Sequence, residues 1–286
     1  IASTRLVIDA NRIKAARVVR RSIDARQRAV LVNVTLDVYI DEMPEALERK
    51  PTKLTPLGDD APTVVVVGAG PAGLFAALRL VKLGIRPVVV ERGKDVDSRR
   101  KDLAAIARSG SVDADSNYCF GEGGAGAFSD GKLFTRSKKR GNVDEILRIL
   151  YDHGADESVM VDAHPHIGTD RLPVIIKSIR QQIIEAGGEF HFSERVIGLL
   201  MDGDGVKGVA TASGKEYHGP VILATGHSAR DVYRFLHADG VPLEPKGLAV
   251  GVRLEHPQEL IDKIRYHNPN GRGKYLPPAE YTMLTR

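Results

Sequence analysis

The stretch Thr63-Val64-Val65-Val66-Val67-Gly68-Ala69-Gly70-Pro71-Ala72-Gly73 restricts this chain more than any other. Four successive valines are apolar on both faces, as in a strand buried inside a parallel sheet. Gly68, Gly70 and Gly73 follow at G-x-G-x-x-G spacing. The first permits a tight turn, the second lets backbone N–H groups approach a pyrophosphate, and the third lets the next helix pack closely on the sheet. Leu74, Ala77, Leu78, Val81 and Leu83 then recur as one apolar helix face. The N-terminus of that helix offers unpaired N–H groups and a positive dipole end to an anion. A second valine-rich strand ends in Glu91, whose carboxylate can accept the hydroxyls of an adenosine ribose. Glycine spacing alone is a weak signal. A plain turn with a solvated acid explains the glycines but not the strand, helix, second strand and terminal acid together, so the unit predicts dinucleotide binding.

Composition sets the outer bounds. With 42% hydrophobic and 27% charged residues among 286, the chain is of ordinary globular type. A single cysteine, Cys119, excludes an internal disulfide and suits a reducing cytoplasm. Without a second cysteine it reads as a small buried side chain rather than a redox thiol. No apolar run approaches the ~20 residues of a membrane helix, so no membrane partner is expected. No signal peptide is visible, and the opening residue, Ile1, suggests that the native start has been lost. The net charge of +4 is uneven. Residues 1–40 hold eight Lys/Arg against Asp9, Asp24 and Asp37, so attraction to a polyanion would reside there. A solvated strand face explains these basic residues more simply, and nucleic acid is not expected as a partner.

Residues 1–49 read as a small α+β unit, with strands over Ala15–Ser22 (Arg17, Arg20 and Arg21 exposed) and Ala29–Ile40. Such a hairpin is not stable alone. Residues 50–62, with Pro51, Pro56 and Pro62, read as a linker. The dinucleotide-binding domain is expected over 63–240, and 241–286 as the start of a substrate domain. Helices are predicted over Asp95–Ser109, Val143–His153, Arg171–Ala186, Ser228–His237 (capped by Ser228) and Pro257–Tyr266. Arg195–Met201 and Val206–Thr211 form a β-hairpin. Val221-Ile222-Leu223-Ala224-Thr225-Gly226 is a further buried strand ending in a small-residue turn, and Leu248–Leu254 another strand. Gly121, Gly123 and Gly126 repeat the glycine spacing, but no strand precedes them and no helix follows. Tyr118, Phe120, Phe128, Leu133 and Phe134 interleave with them, which predicts a packed loop lying against a flat or anionic ligand. Lys132 and Ser129 would add contacts. His164 and His166 are expected to be hydrogen-bonded residues, and no metal site is predicted.

This order of elements resembles the FAD-binding domain of the glutathione-reductase-like flavoproteins. More narrowly, Arg21-Ser22-Ile23-Asp24-Ala25-Arg26, the loop 117–132, Gly226-His227-Ser228-Ala229-Arg230-Asp231 and the run from Ala249 to Pro257 are similar to a bacterial family of uncharacterised FAD-dependent dehydrogenases. The resemblance implies an α/β protein: a Rossmann-type FAD-binding domain, with a parallel sheet, helices and a β-hairpin meander, preceded by a small α+β unit. It implies that Gly68, Gly70, Pro71, Ala72 and Gly73 hold the FAD pyrophosphate. Glu91 would bind the ribose with Arg92 beside it, and Val196 would meet the adenine through its backbone. Thr225 and Gly226 would lie near the cofactor. Gly123, Gly124, Ser129 and Lys132 would lie against the pyrophosphate or flavin, and His227 and Arg230 near the flavin or substrate.

The implied activity is that of a dehydrogenase transferring hydride between an organic substrate and flavin. Lys132 is a candidate to stabilise the reduced ring and His227 to move a proton. Two other readings stand beside it. One is an NAD(P)-dependent oxidoreductase using the same glycine motif, against which Glu91 argues for any 2′-phosphate. The other is an RNA-associated flavoprotein using the basic N-terminal segment. Such flavoproteins close their site with a Gly-Asp segment that does not follow residue 250, so truncation at both ends is expected. The substrate, the electron donor (a reduced nicotinamide included) and the oligomeric state stay open.

Overall fold

The computed structural model describes residues 2–129, 131–133, 141–168, 170–203, 205–247, 251–252 and 254–281. In chain order these form α1 (Ala2–Leu6), β1 (Ile13–Asp24), β2 (Leu31–Ile40), β3 (Thr63–Val67), α2 (Pro71–Lys82), β4 (Arg86–Val90), α3 (Val96–Ser109) and α4 (Val143–Asp152). There follow α5 (Ser158–Val161), α6 (Leu172–Glu185), β5 (Glu189–His191), β6 (Val196–Asp202), β7 (Gly205–Thr211), β8 (Glu216–His218), β9 (Val221–Leu223), α7 (Arg230–Ala238) and α8 (Gln258–Tyr266). They divide into two compact units. One comprises Ile1–Ala46, Met160–His164 and Pro245–Arg286, the other Leu47–Val159 and Pro165–Glu244.

The larger unit is a layered α/β structure. Its parallel sheet has the order β5-β4-β3-β9. Val65 and Val66 in β3 and Val89 in β4 are wholly excluded from solvent, as a four-valine run requires of an inner parallel strand. Because side chains alternate, Val65, Val67, Val88 and Val90 share one face, where they pack with Val196 and Val209 of the antiparallel sheet β6-β7-β8. Helices α2 and α6 pack on each other, and Leu74 and Ile176 meet there with Ala127. Asp95 caps α3 through its carboxylate, which accepts the N–H groups of Asp97 and Ser98, and Gly110 closes that helix in the left-handed conformation.

In the smaller unit β1 and β2 form an antiparallel hairpin from Ile13/Ile40 to Asp24/Leu31, with register shifts after Ile13 and Val18. The second shift puts Arg20 and Arg21 both outward. Arg17, expected to be exposed, is half-buried: it donates to the Glu45 carbonyl and lies 5.9 Å from the Tyr39 ring. Much of the positive charge of this segment is matched locally. Arg12 pairs with Asp41 (2.6 Å), Arg21 with Asp162 (2.7 Å) and Arg26 with Asp24 (2.6 Å).

Several expectations need correction. Val221–Leu223 is a strand but not a buried one. It lies at the edge of the described sheet, where Ile222 and Leu223 are more than a third exposed. Leu83 caps α2 instead of joining its buried face and is 58% exposed. Ser228 does not cap α7: the cap is Ala229, without a side-chain bond. Cys119 is exposed, not buried, and so is its neighbour Tyr118 at 55%, because the loop turns Gly121, Glu122 and Gly123 inward instead. The strand expected over Leu248–Leu254 has Leu248–Val250 and Arg253 outside the described residues, as are Phe134 and Asp204 of the β6–β7 turn. No helix among the described residues is long and apolar enough to cross a membrane.

Candidate functional site

The chain adds β4 and β5 on one side of β3 and later places β9 on the other. The loops leaving the carboxyl ends of β3 and β9 therefore diverge, and such a switch point opens a crevice in any parallel α/β sheet. Here it holds a cavity of about 540 Å³, within the ~300–1,000 Å³ of small-molecule and cofactor sites. The Gly68–Ala72 turn, Glu91, the loop around Gly121–Ala125, Val196 and the run from Ala224 to Ala229 form its walls.

The glycines of the first turn have separate duties. At Gly68 φ is +106° and a Cβ would stand 2.6 Å from the Ala224 carbonyl oxygen, so only glycine lets the ends of β3 and β9 run this close before their loops part. A Cβ on Gly73 would stand 1.8 Å from Gly68 O, which fixes how closely α2 approaches the turn. A Cβ on Gly70 would meet only Gly124 Cα, at 3.8 Å, and Gly70 caps α2 with Pro71 in the first turn. The first-turn N–H groups of a helix lack internal acceptors, and Gly70, Pro71 and Ala72 place that end of α2 on the cavity wall. On the facing turn, a Cβ on Gly124 would lie 3.2 Å from Pro71 Cδ and 3.3 Å from Gly70 Cα. A bare-backbone cradle with helix N–H groups along one wall fits a diphosphate.

Glu91 is 5% exposed and already engaged. Its Oε1 accepts the N–H groups of Gly93 (2.9 Å) and Gly121 (3.0 Å), and its Oε2 accepts that of Ala69 (2.7 Å). A carboxylate offers about four lone-pair sites, so Oε2 retains room for one ribose hydroxyl rather than two. Arg92 beside it forks onto Asp231 (3.1 and 2.6 Å), reaches Asp115 (3.1 Å) and lies over the Phe120 ring at 4.3 Å. Burial works against the charged form of Asp231, but hydrogen bonding and charge from Arg92 outweigh it and hold its pKa below the ordinary value. Glu194, also on the wall, has a lowered pKa on the same balance: burial opposes, while Lys215, Ser213 and Thr211 prevail.

The second glycine stretch is held by a residue that sequence reasoning missed. Arg99 of α3 is 1% exposed, and its guanidinium donates to five carbonyls, those of Asn117, Tyr118, Gly121, Glu122 and Gly124. Desolvation lowers its pKa, with Glu91 the foremost opposing charge. Glu122 is fully buried. Its Oε2 accepts Val96 N–H at the start of α3, while Oε1 lies 3.0 Å from Arg180 Nε without an aligned hydrogen bond, a contact of charge alone. Burial raises the Glu122 pKa, against the pull of Val96 and Arg180. The Gly123 N–H completes the join by donating to Ala69 O at 2.8 Å.

The structure thus brings Gly68, Gly70, Pro71, Ala72, Glu91, Arg92, Gly124, Val196, Thr225, Gly226 and His227 onto one cavity. Gly73 and Gly123 stand behind the wall. Against Gly123, a Cβ would lie 2.4 Å from Ile176 Cδ1. Ser129 is absorbed by its own loop, donating to Gly126 O (2.8 Å) and accepting from Gly131 N–H (3.1 Å). Lys132 is exposed beside His166, off the cavity wall. Arg230 opens α7 and is exposed. Cys119, Phe120, Asp231 and Tyr233 line the cavity without having been singled out for it. Cys119, Phe120 and Asp231 stand in stretches marked by the resemblance, and Phe120 is also one of the aromatic residues of the loop expected to lie against a ligand. Among the described residues no group of three or more His, Cys, Asp or Glu could hold a metal ion.

Comparison with known proteins gives three family matches. Residues 61–113 match the FAD binding domain, residues 247–286 match "FAD-dependent protein, C-terminal domain-like", and residues 1–39 match a domain of unknown function, DUF8436. An uncharacterised protein of Clostridium beijerinckii is 37% identical over 281 residues, covering 93% of this chain and 52% of that protein. The chain therefore spans about half the length of this relative. Among solved structures, THI4 of Thermovibrio ammonificans aligns with a TM-score of 0.41 and 20% identity over 64% of each chain. The 3-ketosteroid-delta4-(5alpha)-dehydrogenase of Rhodococcus jostii RHA1 aligns with a TM-score of 0.37 and 18% identity, over 60% of this chain and 48% of that one.

Proposed function

We propose that this chain, which carries a Rossmann-type FAD-binding domain and takes FAD as its cofactor, works as an FAD-dependent oxidoreductase of the dehydrogenase type, exchanging hydride with an organic substrate. The observation that carries the proposal is the convergence on one cavity of two facing glycine turns, the open end of α2 and the Glu91 carboxylate. When bound, the flavin supplies the redox chemistry. The chain supplies position and charge. The first turn of α2 faces the diphosphate with N–H donors, Glu91 Oε2 accepts a ribose hydroxyl, and the apolar wall at Val196, Val232 and Leu236 shelters the adenine from water.

Beyond Thr225 and Gly226, His227 stands on the cavity wall and is exposed, so its imidazole can take or give a proton to a group entering from solvent. Lys132 receives no role in this reading. A single cysteine suits the reducing cytoplasm in which we place the protein. The test is a spectrum followed by anaerobic titration. The purified protein should show oxidised-flavin absorbance, alone or after adding FAD, and a panel of alcohols, amines and α-hydroxy acids should bleach it in at least one case. A protein that takes up no flavin, or whose flavin no organic donor bleaches and no organic acceptor reoxidises after chemical reduction, contradicts the proposal.

A further inference from the structure

We propose that Asp231 and Asp115 set the nucleotide specificity of the cavity: by holding the Arg92 guanidinium they deny it to a 2′-phosphate and restrict the adenosine end to nucleotides with a free 2′-hydroxyl. The inference rests on the dinucleotide reading and sharpens it.

An arginine next to the acid that ends the second strand is the residue type that accepts a 2′-phosphate in dinucleotide sites. In the sequence Glu91 argues against a 2′-phosphate, while Arg92 beside it is of the type that would accept one. The structure decides between them. Arg92 lines the cavity, yet its Nη1 and Nη2 donate to the two oxygens of Asp231 and its Nε to Asp115. Three of its five N–H groups are thus committed to carboxylates. Phe120 lies against the guanidinium plane at 4.3 Å, so the group cannot swing through that side. Asp231 sits in the first turn of α7, where the helix dipole favours a negative charge, and this anchors the fork from a rigid element.

The wider charge balance points the same way. Glu91, Glu194, Asp115 and Asp231 are four carboxylates at this end, matched by the four cations Arg92, Arg195, Lys215 and, behind Glu91, the buried Arg99. Arg195 is itself turned to Asp115 (3.4 Å), and Lys215 to Glu194 (2.5 Å). A phosphate entering beside Glu91 would meet no net positive surround, with Arg92 already held by Asp231 and Asp115.

The experiment compares ADP-ribose with 2′-phospho-ADP-ribose, which differ only in the group at issue, by calorimetric titration of the full chain stripped of bound nucleotide. The wild type should favour ADP-ribose by at least about tenfold. The D115N/D231N variant should narrow that ratio by about tenfold, equivalent to ~1.4 kcal/mol. Adding Arg92→Ala to that pair should restore the wild-type ratio. Asp115→Asn alone lies outside α7 and should shift the ratio in the same direction by less, which keeps a readout if the double variant folds poorly. Equal binding of the two ligands by the wild type, an unchanged ratio in the Asn variants, or a gain that persists without Arg92 overturns the inference. If the wild type binds neither ligand, the dinucleotide reading falls and the inference falls with it. Normal ADP-ribose binding with an unmoved ratio removes the inference alone.

Discussion

Gly68–Gly73 and Gly121–Gly126 share one spacing and touch each other along the cavity wall, but different forces shape them. In the first turn the main chain decides. Gly68 and Gly73 are required because their missing Cβ atoms would strike backbone oxygens at 2.6 and 1.8 Å. The strand before and the helix after fix the path, with one side-chain bond added, from Ala69 N–H to Glu91 Oε2. In the second turn a side chain decides. The Arg99 guanidinium gathers five carbonyls, Glu91 takes the Gly121 N–H, and a Cβ on Gly121 would strike Arg99 Cδ at 2.5 Å. The same glycine spacing can therefore mark a turn dictated by its neighbours in sequence or a loop wrapped around a distant cation. The two should break differently.

The largest effect is expected at Gly73→Ala. Its Cβ has only backbone to displace, so the loss should exceed ~4 kcal/mol and leave the chain unfolded by circular dichroism. A soluble variant melting like wild type would show that the first turn can give. Next is Arg99→Met, which strands several buried carbonyls. About 3 kcal/mol should be lost in denaturant titration, and Arg99→Lys should recover little of it, since a single ammonium cannot span five acceptors. Full rescue by lysine would mean that charge, not the fork, holds the loop.

A smaller, pH-dependent effect belongs to Glu122. Its pKa is raised, chiefly by burial. The folded state thus binds that proton more tightly than the unfolded chain, and the associated stability is complete below the ordinary value of 4.5 and is lost as pH rises through the folded value. Glu122→Gln should therefore gain on wild type as pH is raised from 4 to 8 in thermal melts, and a constant gap would refute the assignment. The smallest effect should come from Gly126→Ala. A Cβ there meets nothing within 4 Å, so stability should change by no more than ~0.5 kcal/mol. A large loss would mean that all three glycines of the second turn are constrained.

The same contrast explains what could be read in advance. The β3–turn–α2–β4 unit was legible because its signals are local: a four-valine run, three glycines and a 3.6-residue apolar period. Arg99 was not, because Arg99-Arg100-Lys101 looks like a solvated helix face and only the return of the loop 117–126 buries the first of the three while Arg100 and Lys101 stay exposed. Val221–Leu223 shows the converse. Its apolar run equals that of an inner strand in character, yet edge or centre depends on sheet order, which no single strand encodes. Cys119 was misplaced for a related reason, since whether a loop residue faces in or out is set by what its neighbours pack against, and Ser228 because α7 starts one residue later than a Ser228 cap would need.

The central claim, that FAD lays its diphosphate against the joined glycine turns and the N-terminus of α2, is tested most directly by titrating FAD into wild type and Gly70→Ala. A methyl group at position 70 meets only Gly124 Cα, at an ordinary 3.8 Å, yet it stands on the cavity wall. The account predicts a variant that melts within about 1 kcal/mol of wild type but binds FAD at least about tenfold more weakly. A folded Gly70→Ala that binds FAD as wild type does, or a wild type that takes up none, would contradict it.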